Sequence, residues 1–226
     1  MPRTRLVVFL LLFLAFVERN TVRGEEDDSV KMFKDLAAQG DVEAQLTLGF
    51  MYYLGVRSES VGEGVPQDYT EAAKWYRLAA TQGDASAQFR LGIMYDQGQG
   101  VPQDYTEALN WFRLAAAQRN DDAQAKLGIM YLQGPGVPQD YTEAVKWFRL
   151  AAAQGNAGAQ ANLGFMYATG KGVLQDYVQA HKWLNLAAAR ATGEVRDGAV
   201  EGRDACAELM TPAQIAEAQR LAREWR

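Results

Sequence analysis

The sequence predicts an all-α solenoid, an array of stacked antiparallel helix pairs, and two observations support this prediction. The hexapeptide GVPQDY stands at 64–69, 100–105 and 136–141, with GVLQDY at 172–177, so the copies recur every 36 residues. Residues 68–103 and 104–139 are identical at 24 of 36 positions. Self-similarity at a fixed period of roughly 20 to 50 residues is typical of stacked repeats.

Each repeat is predicted to consist of two helices joined by a glycine turn. In the first full repeat, Asp68 precedes the first helix and Glu71 occupies its third position, which predicts a reciprocal capping box. The same pair recurs as Asp104 with Glu107, Asp140 with Glu143, and Asp176 with Gln179. The first helix is expected to end at Gly83, Asp84 to cap the second helix, and Gly98 to end it.

Apolar residues predict how these helices are buried. On the first helix they fall at spacings of three and four, at Tyr69, Ala72, Ala73, Tyr76, Ala79 and Ala80. Trp75 and Leu78 widen this surface, so we expect burial on two flanks. Inside the second helix, Gly92 has counterparts at Gly49, Gly128 and Gly164. Glycine in a helix interior costs about 1 kcal/mol against alanine, so its recurrence predicts close approach of another helix.

The two ends of the array differ from its middle. Residues 28–54 are predicted to form a worn helix pair, followed by a seven-residue insertion at 56–62 that is expected to be a surface loop. Tyr177 to Ala191 and residues 195–209 are expected to form the last pair, which completes a solenoid over 25–210. Residues 211–226 are predicted to form a capping helix, with Thr211 at its N-cap, an apolar stripe and a charged face.

One helix end departs from the pattern. Arg119 stands where the other copies have Gly83 and Gly155. A left-handed arginine is strained, so the first helix of this repeat is expected to end differently.

The first residues are typical of a secretory signal peptide. Arg3 and Arg5 precede an apolar run from Leu6 to Val17, which is shorter than the roughly 18 residues that a membrane-spanning helix needs. We expect residues 1–24 to be removed after Gly24, which leaves no stable membrane span, and the protein to be periplasmic or secreted. An uncleaved anchor is the alternative.

The charge of the mature chain excludes one class of partner. Residues 1–24 contain four arginines and one glutamate, so their removal leaves 19 basic against 27 acidic residues. An acidic surface repels phosphate backbones, and nucleic acid is therefore not an expected partner.

Few residues suggest catalysis, and no metal or cofactor is predicted. Cys206 is the single cysteine, so no intrachain disulfide can form. It could pair with His181, the single histidine, as nucleophile and base. Because His181 occupies an apolar position of its helix, a packed histidine is the favoured interpretation. Trp75, Trp111, Trp147 and Trp183 could form a sugar-stacking ladder, but their apolar neighbours favour a place in the core.

A polar stripe on the first helices is the candidate binding site. Two positions of each first helix carry basic or amide side chains. They are Lys74, Arg77, Asn110, Arg113, Lys146, Arg149, Lys182 and Asn185. The alternative is a solvated face, in which Lys74 pairs with Glu71 and Lys146 with Glu143. The arginines have no acidic residue three or four positions before them, which keeps the binding hypothesis open.

The repeat resembles a known family. Residues Ala85 to Ala116 carry A-x-A-Q-x-x-L-G-x-M-Y, then G-x-G-V-P-Q-D-Y, then A-x-x-W-F-R-L-A-A, and this pattern is similar to Sel1-like repeats, relatives of tetratricopeptide arrays. The resemblance implies a right-handed superhelix whose first helices line an inner groove, and a role as an adaptor for other proteins. We therefore expect an exported, non-enzymatic scaffold that binds a protein or an acidic peptide in that groove.

The resemblance also supplies the rival function. One secreted, cysteine-rich branch of the family binds penicillin and hydrolyses β-lactams, and paired cysteines bridge the two helices of its repeats. The present sequence has none of these pairs, so the activity is not carried over. A β-lactam or cell-wall hydrolase remains the alternative to a scaffold.

Overall fold

A computed structural model describes residues 26–55 and 65–225. The predicted signal peptide and the insertion at 56–62 lie outside the described residues. Within these ranges the chain forms eleven α-helices. They are α1 (Glu26–Ala38), α2 (Val42–Leu54), α3 (Tyr69–Thr81), α4 (Ala85–Gln97), α5 (Tyr105–Ala117), α6 (Asp121–Gln133), α7 (Tyr141–Ala153), α8 (Ala157–Thr169), α9 (Tyr177–Arg190), α10 (Gly193–Glu208) and α11 (Pro212–Glu224).

The helices fall into two compact units, which divide between Gln103 and Asp104. In the first unit α1 packs on α2, α2 on α3, and α3 on α4. In the second unit the same neighbour-to-neighbour packing runs from α5 to α10, and α11 packs on α9. The predicted all-α solenoid of helix pairs is confirmed in this packing, with α3, α5, α7 and α9 as first helices of the full repeats.

The aspartate of the hexapeptide caps each first helix. The carboxylate of Asp68 accepts hydrogen bonds from the backbone amides of Thr70 and Glu71, at 2.9 and 3.0 Å. Asp104 and Asp140 repeat these distances in their own repeats. The four predicted helix starts are therefore confirmed.

The predicted reciprocal bond of the capping box, from the aspartate amide to the Glu71 side chain, is wrong. The backbone amide of Asp68 donates to the carbonyl oxygen of Tyr52, at 2.8 Å, and not to the Glu71 side chain. Asp140 and Asp176 donate in the same way to the carbonyls of Tyr131 and Tyr167. Since the preceding second helix supplies this acceptor, the glutamate is left free to pair with lysine.

The remaining polar and glycine residues of the hexapeptide complete a joint between repeats. The Gln139 side-chain amide donates to the Leu132 carbonyl at 2.7 Å, which satisfies a carbonyl near the end of α6. Gly100 and Gly172 have φ of 68° and 70°, and a side chain on either would collide with the backbone at the start of a first helix. The recurring spacing of the joint thus reflects the close contact of its glycine with the backbone of a first helix.

Glycines inside the second helices allow the next repeat to approach. A Cβ atom added to Gly128 would lie 2.5 Å from Cε1 of Phe148, which is fully buried on α7. Gly49 meets Tyr76 at the same distance, and Gly164 meets Leu184 at 2.6 Å. The predicted close approach of another helix is confirmed at these three positions.

Four buried glutamines also join the two helices of each pair, and the apolar pattern did not predict them. Each donates a side-chain hydrogen bond to a carbonyl in the last turn of the first helix. The pairs are Gln45 to Ala37, Gln88 to Ala80, Gln124 to Ala116 and Gln160 to Ala152, at 3.0 to 3.2 Å. Each of these carbonyls also accepts a backbone amide of the turn that follows, so the glutamine adds a second hydrogen bond that links the two helices.

Two expectations about the first helices are wrong. Leu78, Leu114 and Leu150 are 47%, 50% and 50% exposed, so the apolar surface does not extend to this flank. Arg119 adopts the left-handed conformation, with φ of 65°, and α5 ends as its counterparts do. The Asn120 amide reaches the Ala115 carbonyl, and this bond holds the turn despite a backbone strain of roughly 1 to 2 kcal/mol.

The C-terminal helix begins and packs as predicted. The Thr211 amide donates to the Gln214 side chain at 2.8 Å, and the Gln214 amide donates to the Thr211 hydroxyl at 3.3 Å. Ala218 and Ala222 are buried on the inner side of α11. On its outer side Arg220 pairs with Glu217 and with Glu224. The helix therefore carries one apolar face and one charged face.

His181 and Cys206 are core residues, each only 4% exposed. Burial raises the pKa of the Cys206 thiol, whereas a reactive cysteine needs a lowered pKa. Burial also lowers the pKa of His181, and the positive charge of Arg203 adds to this effect against the opposing charge of Asp204. The structure confirms the interpretation of His181 as a packed histidine.

We predict that Gly128→Ala destabilises the protein by about 1 to 3 kcal/mol, because the new methyl group collides with the rigid Phe148 ring. Gly198→Ala is the matched control. Gly198 is also within a helix, but nothing lies within 4 Å of an added Cβ atom. This change should stabilise by about 0.5 to 1 kcal/mol. Urea unfolding measures both, and equal effects would contradict the close approach.

We also predict that His181 makes stability depend on pH. Because its pKa is lowered by folding, the unfolded chain binds the proton more readily, and the free energy of unfolding falls as pH drops below about 6.5. His181→Leu should reduce the difference in unfolding free energy between about pH 7.5 and 5.5. If His181→Leu leaves the difference in unfolding free energy between the two pH values unchanged, folding does not alter the protonation of His181.

Candidate functional site

The predicted binding residues lie on one side of the first helices, which we name the first-helix face. It combines three positions of each helix, spaced i, i+3 and i+4, which share one surface. They are Lys74, Arg77 and Leu78 on α3; Asn110, Arg113 and Leu114 on α5; Lys146, Arg149 and Leu150 on α7; and Lys182, Asn185 and Leu186 on α9. The residues on α3, α5 and α7 are all exposed. Within each repeat the structure thus brings the predicted residues together and adds a leucine to them.

The arginines are held by tyrosines of the second helix. Arg113 donates a hydrogen bond from Nη2 to the Tyr131 hydroxyl at 2.8 Å, and Arg149 does the same to Tyr167. Arg77 donates to Tyr95 in the first unit. A tyrosine hydroxyl orders the guanidinium but does not cancel its charge. Within the described residues none of the three arginines contacts a carboxylate, so each keeps a net positive charge on an exposed surface.

The lysines behave as the solvated-face alternative predicted. Lys74 Nζ lies 2.5 Å from Glu71 Oε1, and Lys146 pairs with Glu143 in the same way. The hydrogen bond to the glutamate raises the pKa of each lysine. Because both pairs are exposed and locally neutral, they contribute little to stability or to the net charge of the face. The charge that is available to a ligand therefore comes from the arginines.

The C-terminal helix α11 packs on α9, the helix that carries the last copy of the face. Leu186 is 7% exposed, whereas its counterparts Leu78, Leu114 and Leu150 are 47% to 50% exposed. Lys182 and Asn185 are half-buried, and burial lowers the pKa of Lys182. Since α11 packs on α9, these predicted residues are less accessible to a ligand than the corresponding residues of α5 and α7.

Aromatic contacts anchor the end of α11. The Trp225 ring lies edge-on to Trp183, with centroids 6.4 Å apart, and the Arg190 guanidinium stacks 4.5 Å from the Trp225 ring centroid. Trp225 also reaches Gly155, in the turn between α7 and α8. The helix thus extends from α9 towards the preceding repeat.

Two tryptophans of the series pack against the core. Trp75 packs against the cluster that contains Phe33 and Leu48, and Trp183 packs against the cluster that contains Phe148 and Leu163. Each ring therefore contributes to the contact with the preceding helix pair. The interpretation as core residues is confirmed for these two tryptophans.

Two further features bear on the class of site. In the part of the chain that the structure describes, no group of three histidine, cysteine, aspartate or glutamate side chains is placed to hold a metal ion. None of the described helices is long and apolar enough to cross a bilayer.

Solved structures share this architecture. A protective antigen of uropathogenic Escherichia coli, c5321, described as displaying an SLR fold, is 32% identical, with a TM-score of 0.78. The match covers 93% of the present chain but only 43% of the antigen, so the chain spans less than half of that protein. A Sel1 repeat protein from Oxalobacter formigenes is 28% identical, with a TM-score of 0.65, and 84% of this chain and 82% of that one are covered.

A comparison of sequences identifies the repeat. No curated protein matches the chain. The profile of the Sel1 repeat, however, matches residues 42–84, 85–120, 121–156 and 157–191, which together make up more than half of the sequence. Each match begins at a second helix and continues through the hexapeptide joint and the first helix that follows it. The chain therefore belongs to the Sel1 repeat family.

Proposed function

We propose that the protein is an exported, non-enzymatic scaffold that binds a protein or an acidic peptide through the first-helix face. Sel1 repeat proteins generally mediate protein–protein interactions and are typically non-catalytic. The observation that carries the proposal is the arrangement on α5 and α7, where a tyrosine-ordered arginine stands next to an exposed leucine.

The charge of the face supports an acidic ligand. Within 26–55 and 65–225, Arg113 and Arg149 have no carboxylate partner, and the net charge of the whole chain is −5. A guanidinium binds carboxylates through two parallel hydrogen bonds, and its attachment to tyrosine reduces the freedom that binding would remove. A ligand with carboxylates would therefore supply the partner that these arginines lack among the described residues.

The leucines supply the apolar part of the face. Leu114 and Leu150 are each 50% exposed, one position after an arginine. Interfaces combine a desolvated apolar centre with polar residues around it, and arginine is enriched among the residues that contribute most to binding. This composition favours a protein ligand over a small polar molecule.

Export rests on the N-terminal sequence. The basic residues Arg3 and Arg5 and the apolar run that follows them have the order of a signal peptide. Export would place the repeats where their ligand is another exported protein or a protein of the cell surface.

The proposal predicts that Arg113→Glu with Arg149→Glu weakens partner binding. The mature protein is immobilised and incubated with the exported fraction of its own cells, and the captured proteins are identified and then purified for titration. The double variant should bind the purified partner at least about tenfold more weakly, because two charges on the face are reversed.

Arg196→Glu with Arg223→Glu provides the control. These arginines are exposed on α10 and α11 and lie off the first-helix face, so the same change of net charge should leave binding unaltered. Circular dichroism establishes that both variants remain helical. Equal affinity of the two double variants for the partner would contradict the proposed site.

A further inference from the structure

We infer that the first-helix face of α5 and α7 binds an amphipathic α-helix that presents carboxylates to Arg113 and Arg149. This inference rests on the proposed function and specifies its ligand. It follows from the helix that carries the last copy of the face, α9, on which α11 packs.

The contact between α11 and α9 shows what this face can hold. The small residues Ala218 and Ala222 of α11 are buried, and so is Leu186 of α9. Trp225 closes the end of the contact against Trp183 and Arg190. An amphipathic helix with small residues and a terminal aromatic ring is therefore accommodated on a first helix in the present fold.

The copies on α5 and α7 have the same leucine but no covering helix among the described residues. Leu114 and Leu150 are 50% exposed at the position where Leu186 is 7% exposed. The sequence WFRLAA stands on both α5 and α7, and its counterpart on α9 is WLNLAA. The apolar part of the face is therefore repeated where none of the described helices occupies it.

The residue that differs between these copies indicates the charge of the ligand. Asn185 replaces arginine on α9, where α11 is seated. The acidic residues Glu217 and Glu224 of α11 pair with Arg220 of the same helix. On α5 and α7 the arginine is present, and it has no carboxylate partner in the part of the chain that the structure describes. A helix that binds there needs free acidic residues, which α11 does not offer.

The other common modes of peptide recognition fit the described residues less well. Addition of a β-strand needs an open sheet edge, and the described elements are all helices. Proline-rich peptides dock into grooves lined by aromatic rings, whereas this face presents leucine and arginine. A helix presents side chains at i, i+3 and i+4, which suits a surface that is itself built from one side of helices.

Three labelled peptides test the inference against the full-length mature protein by fluorescence anisotropy. The first is the sequence of residues 211–226, and the second is the same peptide with Arg220→Glu and Arg223→Glu, which frees its carboxylates. The third adds Ala218→Pro to the second and cannot form a continuous helix. We expect the second peptide to bind at least about tenfold more tightly than either of the others.

Variants of the protein locate the site. Leu114→Gln with Leu150→Gln, and separately Arg113→Gln with Arg149→Gln, should each weaken binding of the acidic peptide at least about fivefold. Leu174→Gln with Leu209→Gln and Arg196→Gln with Arg223→Gln change exposed residues elsewhere and should have no effect.

Each contrary outcome overturns a stated part of the inference. Equal binding of the proline peptide would show that the ligand need not be helical, while binding to the face, and with it the proposed function, would stand. Equal binding of the unmodified peptide would overturn the need for carboxylates. Absence of binding by the acidic peptide, or an equal loss of binding in the control variants, would overturn the inference that the face binds a helix. Capture of the native partner would still test the proposed function separately.

Discussion

The structure depends on one steric constraint, the absence of a side chain at a glycine in the middle of each second helix. At Gly128 this absence lets the Phe148 ring lie against the helix backbone, and Gly49 and Gly164 receive Tyr76 and Leu184 in the same way. A fully buried ring or leucine at this point orients the next first helix, because interior packing tolerates little change of volume. The buried side of that helix then determines which side faces outward.

The outward side carries the residues that we propose bind a ligand. With the alanines and the aromatic ring turned inwards, Arg113 and Leu114 are left exposed on α5, and the Tyr131 hydroxyl orders the arginine from the same repeat. Every 36-residue copy that keeps its core residues therefore presents the face again. The hexapeptide serves this repetition as a joint, since Asp140 caps one helix with its side chain and binds the preceding helix with its amide.

The sequence predicts the parts of this structure that are local or periodic. The 36-residue period, the aspartate caps and the glycine ends depend on neighbouring residues, and the structure contains them. The reciprocal capping box was wrong because the Asp68 amide finds a carbonyl of another helix, which local sequence does not reveal. The apolar pattern did not predict buried glutamines such as Gln124, because glutamine is polar. Their recurrence in every copy, three positions before a leucine such as Leu127, could have indicated a buried position. The half-burial of Lys182 was not predictable, because α11 is not part of the period.

A double-mutant cycle on Gly128→Ala and Phe148→Ala tests the central constraint most directly. If the glycine serves to admit the ring, Gly128→Ala should destabilise the natural chain by about 1 to 3 kcal/mol and be neutral or slightly stabilising once the ring is removed. The coupling energy would then equal most of the single effect. An equal cost of Gly128→Ala in both backgrounds, measured by urea unfolding, would show that the glycine is needed for another reason and would contradict the account.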